Sequence, residues 1–453
     1  MKIFILCPNL NEEKKSIINV RARQPLSLAI IAAILRNDGH QIKLVDANVL
    51  NLFLTKILEE INQFSPEALI LTSTPDDRWE CPVPFIDNIF KLINTVKVKY
   101  KILTGTHGTT MPEWIFSRCK VDYIIRGEPE LATQDLIFSL SNNRTLEQVA
   151  GLSWRKEGAI INNPGQRITD LDKLPMPAYD LLPMELYGGT QFPQPFSIMM
   201  TSRGCPYNCT PCLKAMSPGV YVAQSPKKVV DEIAYLLEHF AIKFIFFQDW
   251  EFFIDCERVK KICNLILDKG LKVEWGANAR ATDIVRLQHF LPIIKKAGCL
   301  FINIGLESAS NRILERINKK VTQNDLLSAI NILRANEIKI GLCVLLNLPG
   351  EDKDSLKETA NFIIDNNLEV KKFLPVIPYP GTTIFANLKK LKPGIELNWD
   401  TVENFAGSAE TELRPQISHL YLRHYKNSKK YGKFYLLNPS FWLHSIRNVI
   451  KSL

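Results

Sequence analysis

Three cysteines that lie close together in the chain are the residues most able to do chemistry. Cys205, Cys209 and Cys212 have the spacing C-x3-C-x2-C, whereas the other seven cysteines are scattered. A structural zinc site normally needs four protein ligands, and no neighbouring Cys or His supplies the fourth. Three thiolates instead suit a [4Fe-4S] cluster that has one open iron. Zinc and unliganded core thiols are the two alternatives.

The elements that must position these cysteines belong to a long alternation of strands and helices. Strands are predicted at 197–201, 244–247, 273–277, 301–305, 339–346 and 372–375, and helices at 226–239, 257–268, 282–297, 323–335 and 352–366. Six βα repeats predict a partial (β/α)6 TIM barrel over residues 193–390, with its active groups at the carboxyl ends of the strands. The cysteines follow the first of these strands.

The first 140 residues predict a separate α/β unit. Apolar strands at 3–6, 41–45, 68–71, 101–103 and 123–125 alternate with helical segments, of which 25–37 is one. This alternation predicts a doubly wound, parallel, Rossmann-like sheet, which binds ligands beyond the carboxyl ends of its strands. Residues 141–192 are interpreted as a linker with a small β element around the turn at 156–158, and residues 391–453 as a helical, basic segment.

Three loops at the predicted strand ends of this first sheet are candidates for ligand binding. They span residues 72–75, 104–110 and 126–130, and they are small, polar and mostly glycine-containing. Glycine lets the backbone approach a large polar ligand closely. Ordinary turn chemistry gives the same composition, so composition alone leaves both interpretations open.

Composition and charge exclude several classes of protein. The chain has 453 residues, of which 46% are hydrophobic and 23% charged, unlike a disordered or collagen-like chain. Its longest apolar stretch, 28–35, is too short to span a bilayer, and the absence of a signal peptide predicts a cytoplasmic location. The scattered cysteines are therefore expected to be mostly buried free thiols. The net charge of +9 resides mainly in residues 413–453, so no nucleic-acid partner is expected.

Several stretches carry a resemblance to a known family. Besides the cysteine motif they are Arg-Gly-Glu-Pro-Glu at 126–130, Leu-Asp-Lys-Leu-Pro at 171–175, Ile-Gly-Leu-Glu-Ser at 304–308, Leu-Pro-Gly-Glu at 348–351 and Pro-Tyr-Pro-Gly-Thr at 378–382. The motif and the barrel pattern resemble the radical SAM superfamily, and the first 140 residues resemble a cobalamin-binding domain. Together they resemble cobalamin-dependent radical SAM enzymes, in the branch with the anaerobic magnesium-protoporphyrin ester cyclase and the hopanoid-modifying enzymes.

The resemblance implies three cofactors: a [4Fe-4S] cluster on the three cysteines, S-adenosyl-L-methionine (SAM) and cobalamin. The SAM contacts it implies are Asp249 for the ammonium, Arg280 for the carboxylate, and Glu307 and Ser308 for the ribose hydroxyls. Structural hydrogen bonding at the barrel mouth is the alternative role of these four. The sequence departs from the family where Trp250 replaces a second Asp and where Pro211 replaces an aromatic residue.

The same resemblance implies cobalamin contacts in the first domain. They are Ser73, Thr74, Gly105, Thr106, His107, Gly108, Gly127 and Glu128. Many cobalamin domains carry a cobalt-ligating His after the first strand, but residues 8–13 contain none. His107 is therefore interpreted as a residue that lines the nucleotide tail, and cobalt is predicted to lack a protein ligand.

By resemblance, the activity is methyl transfer to an unactivated carbon. A 5′-deoxyadenosyl radical made from SAM abstracts a substrate hydrogen, and the carbon radical takes a methyl group from methylcobalamin. A radical cyclase or rearrangement enzyme without methyl transfer is the first alternative. A cobalamin-binding protein without catalytic activity is the second.

The expected partners are a small-molecule substrate and a reductant such as flavodoxin or ferredoxin. Residues 421–453 interleave aromatic and basic side chains and contain no acidic residue. This pattern suits peripheral contact with an anionic membrane, and with it a lipid-like substrate. The alternative is that the aromatic residues pack this tail onto the barrel while its basic residues face solvent.

Overall fold

In the computed structural model, the seven strands of the amino-terminal half form one sheet. The structure describes residues 1–10, 23–188 and 193–405. The sheet has the order β2-β1-β3-β4-β5-β6-β7, and its first five strands are parallel. They are β1 (Lys2–Cys7), β2 (Gln41–Asp46), β3 (Ala68–Thr72), β4 (Tyr100–Thr104), β5 (Tyr123–Ile125), β6 (Leu152–Lys156) and β7 (Ala159–Asn162). The strand order reverses between β1 and β3, where doubly wound sheets bind ligands.

The helices of this half cover both faces of the sheet. They are α1 (Leu26–Asn37), α2 (Leu54–Phe64), α3 (Asp87–Thr95), α4 (Thr106–Thr110), α5 (Pro112–Arg118) and α6 (Pro129–Ser141). Helix α1 is buried from Leu26 through Leu35 because it packs on the sheet and is covered on its other side by residues 168–182. The apolar stretch noted in the sequence is therefore an interior helix.

A hairpin formed by β6 and β7 extends the first sheet. Its turn uses Glu157 and Gly158, both with positive φ, which confirms the turn predicted there. Strand β6 pairs antiparallel with β5, from Ile125 opposite Leu152 to Tyr123 opposite Trp154. The small β element predicted for the linker is therefore continuous with the amino-terminal sheet.

The second half of the chain forms a six-stranded parallel half-barrel, as predicted. Its strands lie side by side in chain order: β8 (Phe196–Met199), β11 (Phe244–Phe247), β12 (Glu274–Ala279), β13 (Cys299–Glu307), β14 (Lys339–Leu346) and β15 (Val370–Pro375). A small antiparallel pair, β9 (Ser202–Arg203) and β10 (Val222–Ala223), follows β8. Between β9 and β10 lies the cysteine loop, which we define as residues 204–221.

The helices of the half-barrel pack on its outer face. They are α7 (Pro226–Phe240), α8 (Cys256–Asp268), α9 (Ala281–Arg286), α10 (Leu291–Lys296), α11 (Asn311–Arg316), α12 (Gln323–Ala335), α13 (Lys353–Asp365) and α14 (Thr383–Leu391). The single helix predicted at 282–297 is wrong, because the segment forms α9, a short 3-10 turn and α10. Pro292 lacks an N–H and lies in the first turn of α10, where a continuous helix would need that donor.

The segment after β15 returns across the carboxyl ends of both sheets. Beyond α14 the described chain contains one short 3-10 helix, Val402–Phe405, so the predicted helical segment 391–453 is mostly turns as far as Phe405. The basic, aromatic tail at 421–453 lies outside the described residues, and so does the membrane contact predicted for it. Within the described ranges, no helix is both long and apolar enough to cross a membrane.

Candidate functional site

The cysteine loop begins just after β9 at Gly204, a position that only glycine fits. Gly204 has φ +77, and a Cβ there would lie 2.2 Å from the carbonyl oxygen of Val220. Pairing of Arg203 with Val222 closes the base of the loop. The loop therefore starts and ends at one fixed point, at the carboxyl end of β8, where the barrel pattern predicted the three cysteines.

The donor set in this loop fits a four-iron cluster that has one open iron. All three cysteines are half-buried free thiols. Burial raises the pKa of Cys205 and Cys212, and both Cys205 and Cys209 raise the pKa of Cys212 further. In the described part of the chain, no three His, Cys, Asp or Glu side chains are arranged to hold a single metal ion, as the zinc alternative requires. A four-iron cluster is larger than one ion, so its thiolates stand farther apart.

Arg280 borders the cysteine loop. It follows β12, and its guanidinium carbon lies 3.6 Å from the centre of the Tyr207 ring, with Nη1 3.8 Å from Cys209 Sγ. Its Nη2 donates to the carbonyl oxygens of Lys319 and Lys320, while its buried Nε has no hydrogen-bond partner among the described residues. Arg280 is thus fixed beside the loop with one donor free for an anion, such as the predicted SAM carboxylate.

Glu307 lies on the same side of the barrel mouth, at the end of β13. Its Oε1 is 2.9 Å from Lys319 Nζ, in an ion pair that is mostly buried. A Cβ at Gly305 would lie 2.4 Å from this oxygen and 2.9 Å from the ammonium, so glycine leaves the room that the pair needs. Lys319 links Glu307 to Arg280 through its own carbonyl oxygen. The ribose contact of Glu307 stays a prediction.

The polar side-chain atoms of two predicted SAM residues form hydrogen bonds within the protein. Asp249 Oδ1 accepts a hydrogen bond from Thr201 N, and Oδ2 accepts from the hydroxyls of Thr201 and Ser202, at 2.6–2.7 Å. Ser308 Oγ lies 3.1 Å from the hydroxyl of Thr359. Asp249 and Ser308 are both fully buried, in the structural hydrogen bonding that the sequence left as the alternative. As direct SAM contacts they stay predictions.

A pair of buried carboxyl groups that the sequence analysis missed lies near Arg280. Burial raises the pKa of Glu251 well above its usual range, and neighbouring Asp283 raises it further, whereas Arg280 and Lys319 lower it. The pKa of Asp283 is also raised by burial, and its Oδ2 has no partner among the described residues. Asp283 Oδ1 accepts from Arg286 Nη2 at 3.0 Å, so this acid already has one cationic partner. An arriving ammonium would favour the charged forms of both acids. Glu251 lies two residues after Asp249 in the acidic stretch, which was the available sequence signal.

His107, in the predicted cobalamin loops, is fully buried and uses both ring nitrogens. Nε2 lies 3.0 Å from the carbonyl oxygen of Val83, and Nδ1 lies 3.1–3.2 Å from the hydroxyls of Ser73 and Thr74. This network assigns the proton to Nε2, because a carbonyl oxygen can only accept. Burial lowers the pKa of His107 to about 3, so the ring is neutral near pH 7.

Glycines let the same loops pack tightly. Gly105 has φ +104, and a Cβ there would lie 2.7 Å from Ser73 Oγ and 2.9 Å from Thr74 N. A Cβ at Gly108 would lie 2.6 Å from Ile124 Cγ2. Thr106 N donates to Thr74 Oγ1. The loops after β3 and β4 therefore pack against each other at the carboxyl ends of neighbouring strands. Their hydroxyl and imidazole groups are buried and bonded within the protein, so their cobalamin contacts stay predictions.

An indole from the carboxyl-terminal segment covers these loops. The Trp399 ring centre lies 4.2 Å from that of His107, and Trp399 Nε1 donates to Thr110 Oγ1. Trp399 is fully buried and also lies beside Tyr379, in the Pro-Tyr-Pro-Gly-Thr stretch. The far end of the described chain therefore packs directly on the predicted cobalamin loops.

The remaining two predicted cobalamin residues face the cysteine loop. Gly127 N donates to Thr109 Oγ1. Glu128 is buried and accepts hydrogen bonds from Ile168 N at 2.7 Å and from Ser217 Oγ at 2.8 Å. Because Ser217 belongs to the cysteine loop, Glu128 bridges the two predicted cofactor sites. Its role as a direct cobalamin contact stays a prediction.

A buried ion pair makes a second bridge between the halves. Arg203, in β9, donates to both carboxylate oxygens of Glu130, in α6, at 2.6 and 3.0 Å. A third contact is Gly381, whose Cβ position would lie 3.0 Å from Thr110 and 3.2 Å from Leu213. The loops of the first sheet and the cysteine loop are therefore held against each other at the carboxyl ends of both sheets.

Comparison with known proteins finds matches over two separate stretches of the chain. Residues 199–363 match the family model described as the radical SAM superfamily, and residues 23–137 match that of the B12 binding domain. An uncharacterized methyltransferase of Pyrococcus horikoshii is 30% identical over 406 residues, which are 88% of this chain and 85% of that protein. The anaerobic magnesium-protoporphyrin IX monomethyl ester cyclase of Rubrivivax gelatinosus is 27% identical, over 86% of this chain and 70% of the cyclase.

Hopanoid C-3 methylase of Methylococcus capsulatus is 24% identical, over 84% of this chain and 71% of the methylase. Two solved structures share the fold. The cobalamin-dependent SAM radical enzyme OxsB superposes with a TM-score of 0.67 at 21% identity. The superposition covers 86% of this chain and 55% of the OxsB chain. The radical SAM methyltransferase TsrM of Kitasatospora setae, with cobalamin and a [4Fe-4S] cluster bound, gives 0.70 at 17% identity, over 87% of this chain and 76% of TsrM. The chain belongs to the radical SAM superfamily, as a cobalamin-dependent enzyme that uses a [4Fe-4S] cluster, SAM and cobalamin.

Proposed function

We propose that this enzyme transfers a methyl group to an unactivated carbon of a small-molecule substrate. The observation that carries the proposal is the contact between the two cofactor loops, through Glu128 and Ser217, Glu130 and Arg203, and Gly381. When bound, the cluster and SAM supply a radical that abstracts hydrogen, and cobalamin supplies the methyl group. Adjacent loops let both cofactors act on one substrate carbon. The methyltransferase names of two relatives support the same activity.

In this proposal the side chains bind the cofactors and orient them. The three cysteines anchor the cluster, the free Nε of Arg280 receives the SAM carboxylate, and the buried carboxyl groups of Glu251 and Asp283 receive the SAM ammonium. The ammonium favours the charged forms of these two acids, whose pKa values burial raises. Asp249 acts through Thr201 and Ser202, by fixing the strand end from which the cysteine loop starts.

An anaerobic turnover assay with SAM labelled as a CD3 methyl donor tests the proposal. Protein reconstituted with iron, sulfide and cobalamin is incubated with reductant, flavodoxin or ferredoxin, and extracts of polar metabolites or lipids. We expect a product that carries the labelled methyl group, and none when cobalamin is omitted. A product that has lost hydrogens and gained no label would contradict methyl transfer and support the cyclase alternative, which the protoporphyrin cyclase relatives favour.

The geometry of His107 leads to a spectroscopic prediction. Its Nε2 proton is bonded to the Val83 carbonyl oxygen, and its Nδ1 lies within hydrogen-bond distance of the Ser73 and Thr74 hydroxyls, so the ring has no free lone pair for cobalt. The electron paramagnetic resonance spectrum of the Co(II) form should show no nitrogen superhyperfine splitting that arises from His107. A nitrogen-coupled spectrum that disappears in His107→Ala would overturn the assignment of this histidine.

A further inference from the structure

Lys214, two residues after Cys212, contacts the earlier part of the cysteine loop through its side-chain ammonium. Its Nζ donates to the carbonyl oxygens of Cys205 at 3.2 Å and Tyr207 at 2.5 Å, and to Asn208 Oδ1 at 3.1 Å. A lysine ammonium has three N–H donors. All three are therefore used on one short stretch of the loop, the stretch between the first and second cysteines.

The charge of this ammonium is not matched by an acid. Its three acceptors are neutral, and among the described residues Lys214 forms no ion pair with a carboxylate. The other cations at the loop differ in this respect: Lys319 is paired with Glu307, and Arg280 faces the buried acid Glu251. Lys214 is half-buried, so water screens its charge only in part. Among the cations at this loop, Lys214 is therefore the one without a carboxylate partner in the described part of the chain.

We propose that Lys214 is a positioning residue for the cluster, which pins the loop between Cys205 and Cys209 and offsets the negative charge of the thiolate-bound iron. The thiolates give the loaded loop its negative charge, and one-electron reduction adds another. A fixed cation nearby stabilises the reduced form more than the oxidised form and so raises the reduction potential of the cluster. The inference rests on the cluster that the family shows, and it holds whichever reaction the enzyme catalyses.

Redox titration of the reconstituted cluster, followed by electron paramagnetic resonance, tests the proposal in four variants. Lys214→Met and Lys214→Gln remove the charge, Lys214→Arg keeps it, and Lys156→Met is the matched control. Lys156 is an exposed lysine on the β6–β7 hairpin, paired with Glu147. In the two neutral variants we expect the ratio of reduced to oxidised cluster at a fixed potential to fall about tenfold, which is about 59 mV for a one-electron couple. Lys214→Arg and Lys156→Met should leave this ratio as it is in the unmodified enzyme.

Iron content per chain and thermal unfolding of the iron-free protein accompany each titration. If Lys214→Met retains too little iron to titrate, Lys214→Gln, which keeps a hydrogen-bond donor for the loop, supplies the potential. An unchanged potential in the neutral variants would overturn the proposal. An equal shift in Lys214→Arg would also overturn it, because the effect would then follow loop geometry and not charge. A failed methyl-transfer assay would not affect these readouts.

Discussion

Replacing Cys209 by alanine should abolish both the cluster and the chemistry that depends on it. The chain offers three thiolates in this loop and no fourth ligand, so alanine leaves two, too few to retain a cluster with one open iron. Reconstituted Cys209→Ala is expected to lack the visible charge-transfer absorbance of a thiolate-ligated cluster. Formation of 5′-deoxyadenosine from SAM should fall to the background of a sample without enzyme.

Cys256→Ala is the matched control for this experiment. Cys256 is also a half-buried free thiol, but it begins α8 and its Sγ lies by the carbonyl oxygen of Phe253, outside the motif. This variant should keep the absorbance, the iron content and 5′-deoxyadenosine formation. Retention of the absorbance and of 5′-deoxyadenosine formation in Cys209→Ala would show that another residue completes the site, and the assignment of the motif would fail.

The second large effect is expected in the free energy of unfolding, from Arg203→Met. The side chains of Arg203 and Glu130 are 3% and 0% exposed, and their nearest N–O distance is 2.6 Å. Methionine fills a similar volume but leaves the Glu130 carboxylate buried without its partner. Breaking one side of a buried pair typically costs about 3–5 kcal/mol. Chemical denaturation of Arg203→Met should show a loss of this size, and thermal unfolding should begin at a lower temperature.

The double variant Arg203→Met/Glu130→Leu distinguishes the charge effect from a packing effect. Replacing both members of a buried pair by apolar residues is often nearly neutral, so the double variant should recover most of the stability. An exposed pair, Arg36 and Asp180, is the control, and Arg36→Met should cost about 0–1 kcal/mol. A loss in Arg203→Met no larger than in Arg36→Met would contradict the buried-pair account.

The elements of both sheets could be predicted because their signal is local. Strands that are buried on both faces are continuous apolar runs, and the runs at 68–71 and 244–247 became β3 and β11 with ends shifted by one residue at most. The cysteine motif is likewise a local signal, because its three cysteines lie within one short segment. The break at Pro292 had a local signal too, but the apolar periodicity around it predicted one continuous helix.

The partners of polar side chains could not be predicted, because they depend on contacts between distant segments. Asp249 has the residue type and the position of a SAM ligand, yet its carboxylate is occupied by Thr201 and Ser202. Glu251, two residues later, shares a buried space with Asp283 that no spacing rule specifies. Trp399 meets His107 across nearly three hundred residues of sequence. Pairings of this kind become visible only in three dimensions.

Burial of α1 on both sides limits how the cobalamin domain could be used alone. Ile30 and Ile34 pack against Ile168, Leu171 and Leu174, and the Ala29 carbonyl oxygen accepts a hydrogen bond from Ala178 N. A fragment cut at residue 140 would lose this cover and expose an apolar helix face, a surface that drives aggregation. An excised module for cobalamin capture or domain exchange therefore has to carry the chain through to at least residue 182. It also needs neutral replacements for Glu128 and Glu130, whose partners Ser217 and Arg203 it would lack.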